Sequence, residues 1–147
     1  MDALDERILA ALSADARTSF AVIGKAVGLS ATAVKRRVDR LRTGGVIRRF
    51  TIIVDPDALG QTTEAFVEIF CRERTAPADI LATVRKLPEV VAAYTVTGDP
   101  DALVHLRTSS MRHLEQALER LRREPGVLRS RSTVVLSTLL TDDQAPG

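Results

Sequence analysis

The sequence predicts an α+β chain in two parts: a winged helix-turn-helix, then a ferredoxin-like domain of order βαββαβ. Three observations predict it. Residues 19–50, SFAVIGKAVGLSATAVKRRVDRLRTGGVIRRF, hold two short helical patterns around Val27, Gly28, Leu29 and Ser30, then a glycine pair and a basic segment. Asp55, Pro56, Asp57 and Gly60 then break the pattern. Beyond that break, VRKLPEVVAAYTV (84–96) aligns with LRREPGVLRSRST (121–133), a faint internal repeat. The expected organisation is a DNA-binding unit over 1–50, a linker strand and hinge over 51–61, and a ferredoxin-like unit over 62–147.

Each element has its own signal. Asp2 caps a first helix whose Leu4, Ile8, Leu9 and Leu12 fall at helical spacing. Ser19 caps a second helix, with Val22, Ile23 and Val27 facing inward. Ser30 caps a third, which runs to about Thr43 and stops at Gly44 and Gly45. Residues 46–54 read as a wing-like strand. In each copy of the repeat a strand (65–71, 103–108) precedes a basic-ended helix, which stops before Pro88 or Pro125. A β-branched strand follows. Two βαβ halves with right-handed crossovers give a four-stranded antiparallel sheet with both helices on one face. The last strand is expected at 132–140, apolar enough to be covered on both sides, so the bare sheet face should pack on a second copy.

Composition bounds the function. The chain has 147 residues, 45% hydrophobic and 27% charged, which is ordinary for a soluble globular protein. With four Phe, one Tyr and no Trp, the core must be aliphatic. Net charge is only +2, but residues 35–49 hold seven basic side chains against Asp39 alone, a local balance of +6. That is the electrostatic footprint of a nucleic-acid contact on a near-neutral chain. Cys71 is the sole cysteine, so no intramolecular disulfide is possible. Asp2, Asp5 and Glu6 stand where a signal peptide would be positive, and no apolar run approaches the ~20 residues of a membrane span. A cytoplasmic, nucleoid-associated protein is expected.

On the third helix Val34, Val38 and Leu41 form the inward stripe, leaving Thr32, Lys35, Arg36, Asp39 and Arg40 outward. Lys35 and Arg36 can reach guanine edges or phosphates, while Ala31 and Thr32 suit thymine methyls and short contacts. The helix N-terminus at Ser30 favours a phosphate oxygen, and Arg48 and Arg49 should meet the DNA backbone. A lone cationic helix is usually a solvated face. Here the turn, the glycine stop and the basic patch coincide, and together they indicate a DNA reader. Gly98, Asp99, Pro100 and Asp101, taken alone, read as a hairpin turn. Asp99, Asp101 and His105 fit no dedicated metal spacing, so no metal is expected. Neither a nucleophile–histidine set nor a Gly-rich phosphate loop stands out, so catalysis is not expected.

From residue 2 to 141 the chain resembles the Lrp/AsnC family of feast/famine transcriptional regulators. LDERILAALSADARTSFAVIGKAVGLSATAVKRRVDRLRTGGVIRRFT matches the family's N-terminal domain, and residues 98–101 carry its GDxD turn. The resemblance implies homodimers formed through the C-terminal sheets, assembling further into an octamer. It also implies an amino-acid effector held between dimers, with Gly98, Asp99, Pro100 and Asp101 as the floor of its pocket. Backbone amides near Gly98 would hold the effector's carboxylate, and Asp99 or Asp101 would hold its ammonium. Thr133, Val134 and Val135 match the family's effector-response segment, and Tyr94 lies on the neighbouring strand. No cofactor is implied. Ala102 departs from the family, which usually has Tyr or Phe after the turn. A dimer should read a roughly palindromic operator in double-stranded DNA, with half-sites about one helical turn apart or a multiple. The alternative is an architectural, chromatin-like protein that wraps DNA with little effector response. A metabolic regulatory domain whose helices merely dock a protein has no need of the basic patch.

Overall fold

Three capped helices, α1 (Ala3–Ala14), α2 (Phe20–Val27) and α3 (Ala31–Thr43), build the first of two units in this computed structural model, which describes residues 1–72 and 75–140. That unit spans Met1–Ile53, and the second begins at Val54. The caps are those expected: side chains of Asp2, Ser19 and Ser30 accept from the amides of Asp5, Val22 and Ala33 at 2.9, 3.3 and 3.2 Å. Each satisfies a donor that the first helical turn would otherwise leave without a partner. Ile8, Leu12, Ile23, Val27, Val34 and Val38 then close one aliphatic core, each side chain contributing roughly 1.5–3 kcal/mol by burial.

Two expectations for this unit are corrected. Val22 does not face inward but is 57% exposed. Five positions along a helix put it about 140° from Val27, so a helix of two turns cannot bury both. Residues 46–54 form no strand within the chain. Only Ile47 tucks against the core, while Phe50, Ile52 and Ile53 stay exposed. Their β-branched pattern is real, but a strand needs a ladder partner and this segment has none in its own chain.

The second unit is a four-stranded antiparallel sheet in the order β2-β3-β1-β4, from β1 (Thr63–Cys71), β2 (Val90–Thr95), β3 (Ala102–Thr108) and β4 (Val127–Val134). Helices α4 (Pro77–Val84) and α5 (Met111–Arg122) cover one face. Period-two alternation sends Ala65, Val67, Ile69, Ala102, Val104 and Leu106 into a core with Ile80, Val84, Leu114, Leu118 and Leu121. Glu89, buried ahead of β2, accepts from His113 at 2.7 Å and from Arg120, fastening that edge to α5. Burial pushes the Glu89 carboxyl up, but hydrogen bonds from its own backbone amide, Arg120 and His113 leave it below the usual range.

The last strand is not at 132–140. β4 pairs with β1 from Val127 opposite Cys71 to Val134 opposite Ala65. Past that point only Glu64 and Thr63 of β1 remain; the Val135 amide still bonds to Glu64, and Leu136 and Leu139 are almost fully exposed. An apolar run signals something to be buried; it does not supply the neighbour that makes a strand. Residues 141–147 of the expected second domain lie outside the described residues. Among the described residues no helix is long and apolar enough to cross a membrane.

Candidate nucleic-acid interface and effector site

The turn between α2 and α3 is set by close backbone approach. The amide of Leu29 donates to the carbonyl of Gly24 at 2.8 Å, and a Cβ at Gly24 would lie 2.4 Å from the carbonyl oxygen of Leu29. Only glycine fits. The chain leaves α2 through Gly28 and re-enters a helix at Ser30, so Ser30, Ala31 and Thr32 stand exposed at the N-terminus of α3.

Along the exposed face the basic side chains differ in their partners. Lys35 reaches Asp39 at 2.7 Å, an exposed pair of small worth that a phosphate can displace. Arg40 is bound to both oxygens of Asp5, at 3.1 and 2.9 Å. Arg37, half-buried, reaches Asp5 at 2.8 Å and Asp2 at 2.7 Å. The Arg37 guanidinium holds the Asp5 carboxyl below its ordinary range against the upward push of burial. Among the described residues Arg36, Arg48 and Arg49 are exposed and make no ion pair. Arg42, overlooked in the motif although it lies in the basic patch, shares a cleft with Arg48, Asp39, Thr43 and Ile47.

In the second unit the β2–β3 turn carries Gly98, Asp99, Pro100 and Asp101, with Gly98 at φ +116°, a backbone state that excludes side chains. Asp101 is tied to the end of β1: its amide donates to the Ile69 carbonyl at 2.9 Å, and its Oδ2 accepts from the Cys71 amide at 2.7 Å. Burial, and after it the Asp101 charge, push the Cys71 thiol up. Asp99 lies 3.8 Å from Arg129, whose guanidinium sits over the Phe70 ring at 3.4 Å. Arg131, 6.0 Å from the same ring, pairs with Glu68.

The eight expected effector residues do not all meet within one chain. Tyr94 is exposed in a cross-sheet row with Leu103, Glu68 and Arg131. Thr133 pairs with Phe66, Val134 with Ala65, and the Val135 amide donates to Glu64. From Phe66 to the turn end of β1 at Phe70 is about 13 Å of strand. Ala102 points into the core, wholly buried, so the missing aromatic ring is absent there and not from the exposed turn. His105 binds Glu64 and stacks on Phe66, and no metal-holding group occurs among the described residues. Arg129 went unnoticed in the sequence; its only signal is the two-residue spacing from Arg131, which puts both on one strand face.

A glycine-tight helix-turn-helix with a cationic face, joined to a ferredoxin-like unit, defines the class of DNA-binding transcriptional regulators with a separate regulatory domain. Residues 1–42 match the AsnC-type helix-turn-helix domain and residues 64–145 the Lrp/AsnC ligand binding domain. The chain belongs to the Lrp/AsnC family of transcriptional regulators. It is 56% identical over 140 residues to the HTH-type transcriptional regulator Rv2324 of Mycobacterium tuberculosis, covering 95% of each chain. It is 38% identical over 141 residues to the leucine-responsive regulatory protein of Salmonella typhimurium, covering 92% of this chain and 85% of that one. Among solved structures, a Neisseria meningitidis transcriptional regulator in complex with L-methionine superposes with a TM-score of 0.90 at 27% identity, over 99% of this chain and 96% of that one. A feast or famine regulatory protein of M. tuberculosis complexed with L-methionine gives 0.89 at 34% identity, over 98% and 97%. These relatives are regulators, and the chain is not an enzyme.

Proposed function

We propose that this regulator binds roughly palindromic operators as a homodimer, assembles further, and changes its operator binding when an amino acid occupies the region of the 98–101 turn. The observation that carries the effector reading is the turn itself. Asp99 and Asp101 gather carboxylates at one end of the sheet, in a fold whose relatives include two solved with L-methionine. A free ammonium desolvated there needs such a partner. Thr133, Val134 and Val135 lie at the far end of β1, so they would join the turn only from a second copy, which fits a site between dimers. On the DNA side Ser30, Ala31, Thr32, Lys35 and Arg36 face the major groove, while Arg48 and Arg49 meet phosphates. Arg40 adds its charge from a position anchored to Asp5. The protein acts in the cytoplasm, on the nucleoid.

A thermal-shift screen of the full chain against the twenty amino acids, with and without operator DNA, tests this reading. A ligand that raises the melting temperature and alters DNA affinity supports it. A flat response to all twenty, with DNA binding intact, would favour the architectural alternative.

A further inference from the structure

We infer that Arg129 is the residue that receives the effector's α-carboxylate, which makes the ligand class a free α-amino acid with both main-chain charges intact. The inference rests on the reading that an amino acid binds at the 98–101 turn. Its grounds are position, rigidity and charge. Arg129 stands opposite Phe70 in the β1–β4 ladder, and its guanidinium lies over that ring and reaches toward Asp99. It therefore spans β1 to the Asp99 carboxylate of the turn. The ring beneath it is 5% exposed and fixed in place, so stacking at 3.4 Å orients the guanidinium plane in advance.

The charges are also unevenly matched. Arg131, the next side chain on the same face, is paired with Glu68. Among the described residues Arg129 has only Asp99, at 3.8 Å, which is beyond hydrogen-bond range, and Asp99 is itself largely exposed. Asp101 is tethered through one oxygen to the Cys71 amide. The turn end of the sheet thus presents two carboxylates beside a stacked arginine fork whose N–H edge is not saturated. An α-amino acid carries an ammonium and a carboxylate on one carbon, the complementary arrangement. A guanidinium donates two parallel hydrogen bonds to a carboxylate, matching its planar geometry.

The test is calorimetry on the full-length chain, with L-methionine first, then whichever of the twenty amino acids gives the largest thermal shift, each compared with its carboxamide. The wild type should prefer the acid over the amide on the order of 10- to 100-fold, the range for a hydrogen bond to a charged group. Arg129→Gln should bind both weakly and alike, and Arg129→Lys should keep part of the preference. Arg131→Gln should discriminate like the wild type. Ligand-free DNA affinity and melting temperature confirm that each variant is folded. Loss of all binding in Arg129→Gln alone also supports the assignment. Undiminished preference for the acid in Arg129→Gln overturns it while leaving the amino-acid reading standing. Failure of the wild type to bind any of the twenty overturns both.

Discussion

Arg37 on α3 holds the buried carboxylate of Asp5 on α1 at 2.8 Å, and Arg40, one turn further along α3, donates to both oxygens of the same carboxylate. Removing the positive partners would leave an uncompensated charge in an aliphatic surround. The helix proposed to meet DNA is therefore keyed to the first helix of its own unit by electrostatics as well as by Ile8 and Val34.

That pairing sets an acid limit on stability. The Asp5 carboxyl is held below its ordinary value of 3.8, so the native unit binds fewer protons than the unfolded chain in that range. Its contribution is complete above the unfolded value and is lost as pH falls through the lowered native one. Melting temperature measured from pH 7 downward should decline below about pH 4 in the wild type. Asp5→Asn should start lower by several degrees and show a flatter acid limb. An unchanged acid limb would remove Asp5 from the explanation.

The turn makes a steric prediction. Gly24→Ala places a Cβ 2.4 Å from a backbone oxygen that no side-chain motion can clear. Overpacking of this kind costs about 1–3 kcal/mol, and here it also opens the α2–α3 angle. Chemical denaturation should show the loss, and specific DNA affinity should fall more than the folded fraction explains. Gly28→Asn, at a left-handed cap with open space around it, should be far milder.

The proposed division into base and phosphate contacts can be tested by substitution. Arg36→Ala should weaken specific binding by about 1–3 kcal/mol and leave nonspecific binding nearly intact. Arg49→Ala should weaken both and reduce the salt slope by about one. Titrations on operator and scrambled duplexes at several salt concentrations distinguish the two. Equal losses from Arg36→Ala would make it a phosphate contact.

The sheet face away from the helices predicts assembly. Phe66 and Tyr94 are 39% and 58% exposed there, among the Glu64–His105 and Glu68–Arg131 pairs. Apolar side chains gathered on one face mark an interaction surface. Sedimentation of the full chain should show dimers or larger species, and Phe66→Arg should shift them toward monomer with little change in circular dichroism. A wild type that sediments as a monomer at micromolar concentration would refute this.

Local signals were the legible ones. Ser19, Ser30 and the glycines at 44 and 45 bounded α2 and α3 because a cap is a property of a few adjacent residues. The repeat placed all four strands in order because each half carries its own strand–helix–proline pattern. Interactions between distant residues were not legible. Asp5 looked like a first-turn acid of α1, and nothing near it in sequence announces arginines thirty-two and thirty-five positions away. Arg129 was passed over for the same reason, since Phe70 and Asp99 come to it only through the sheet. The strand misplaced at 132–140 shows the limit of hydrophobic pattern: it finds residues that want cover, whereas pairing depends on how far the neighbouring strand extends.

The double arginine clasp on Asp5 has a further consequence for operator choice. A reading helix fastened to its own scaffold cannot roll to follow a groove of different width, so the duplex must adjust to it. Sites with flexible pyrimidine–purine steps flanking the contacted bases would then be bound more tightly than stiff A-tract versions presenting identical base edges. Selectivity of that kind resides in the bendability of DNA the protein never touches.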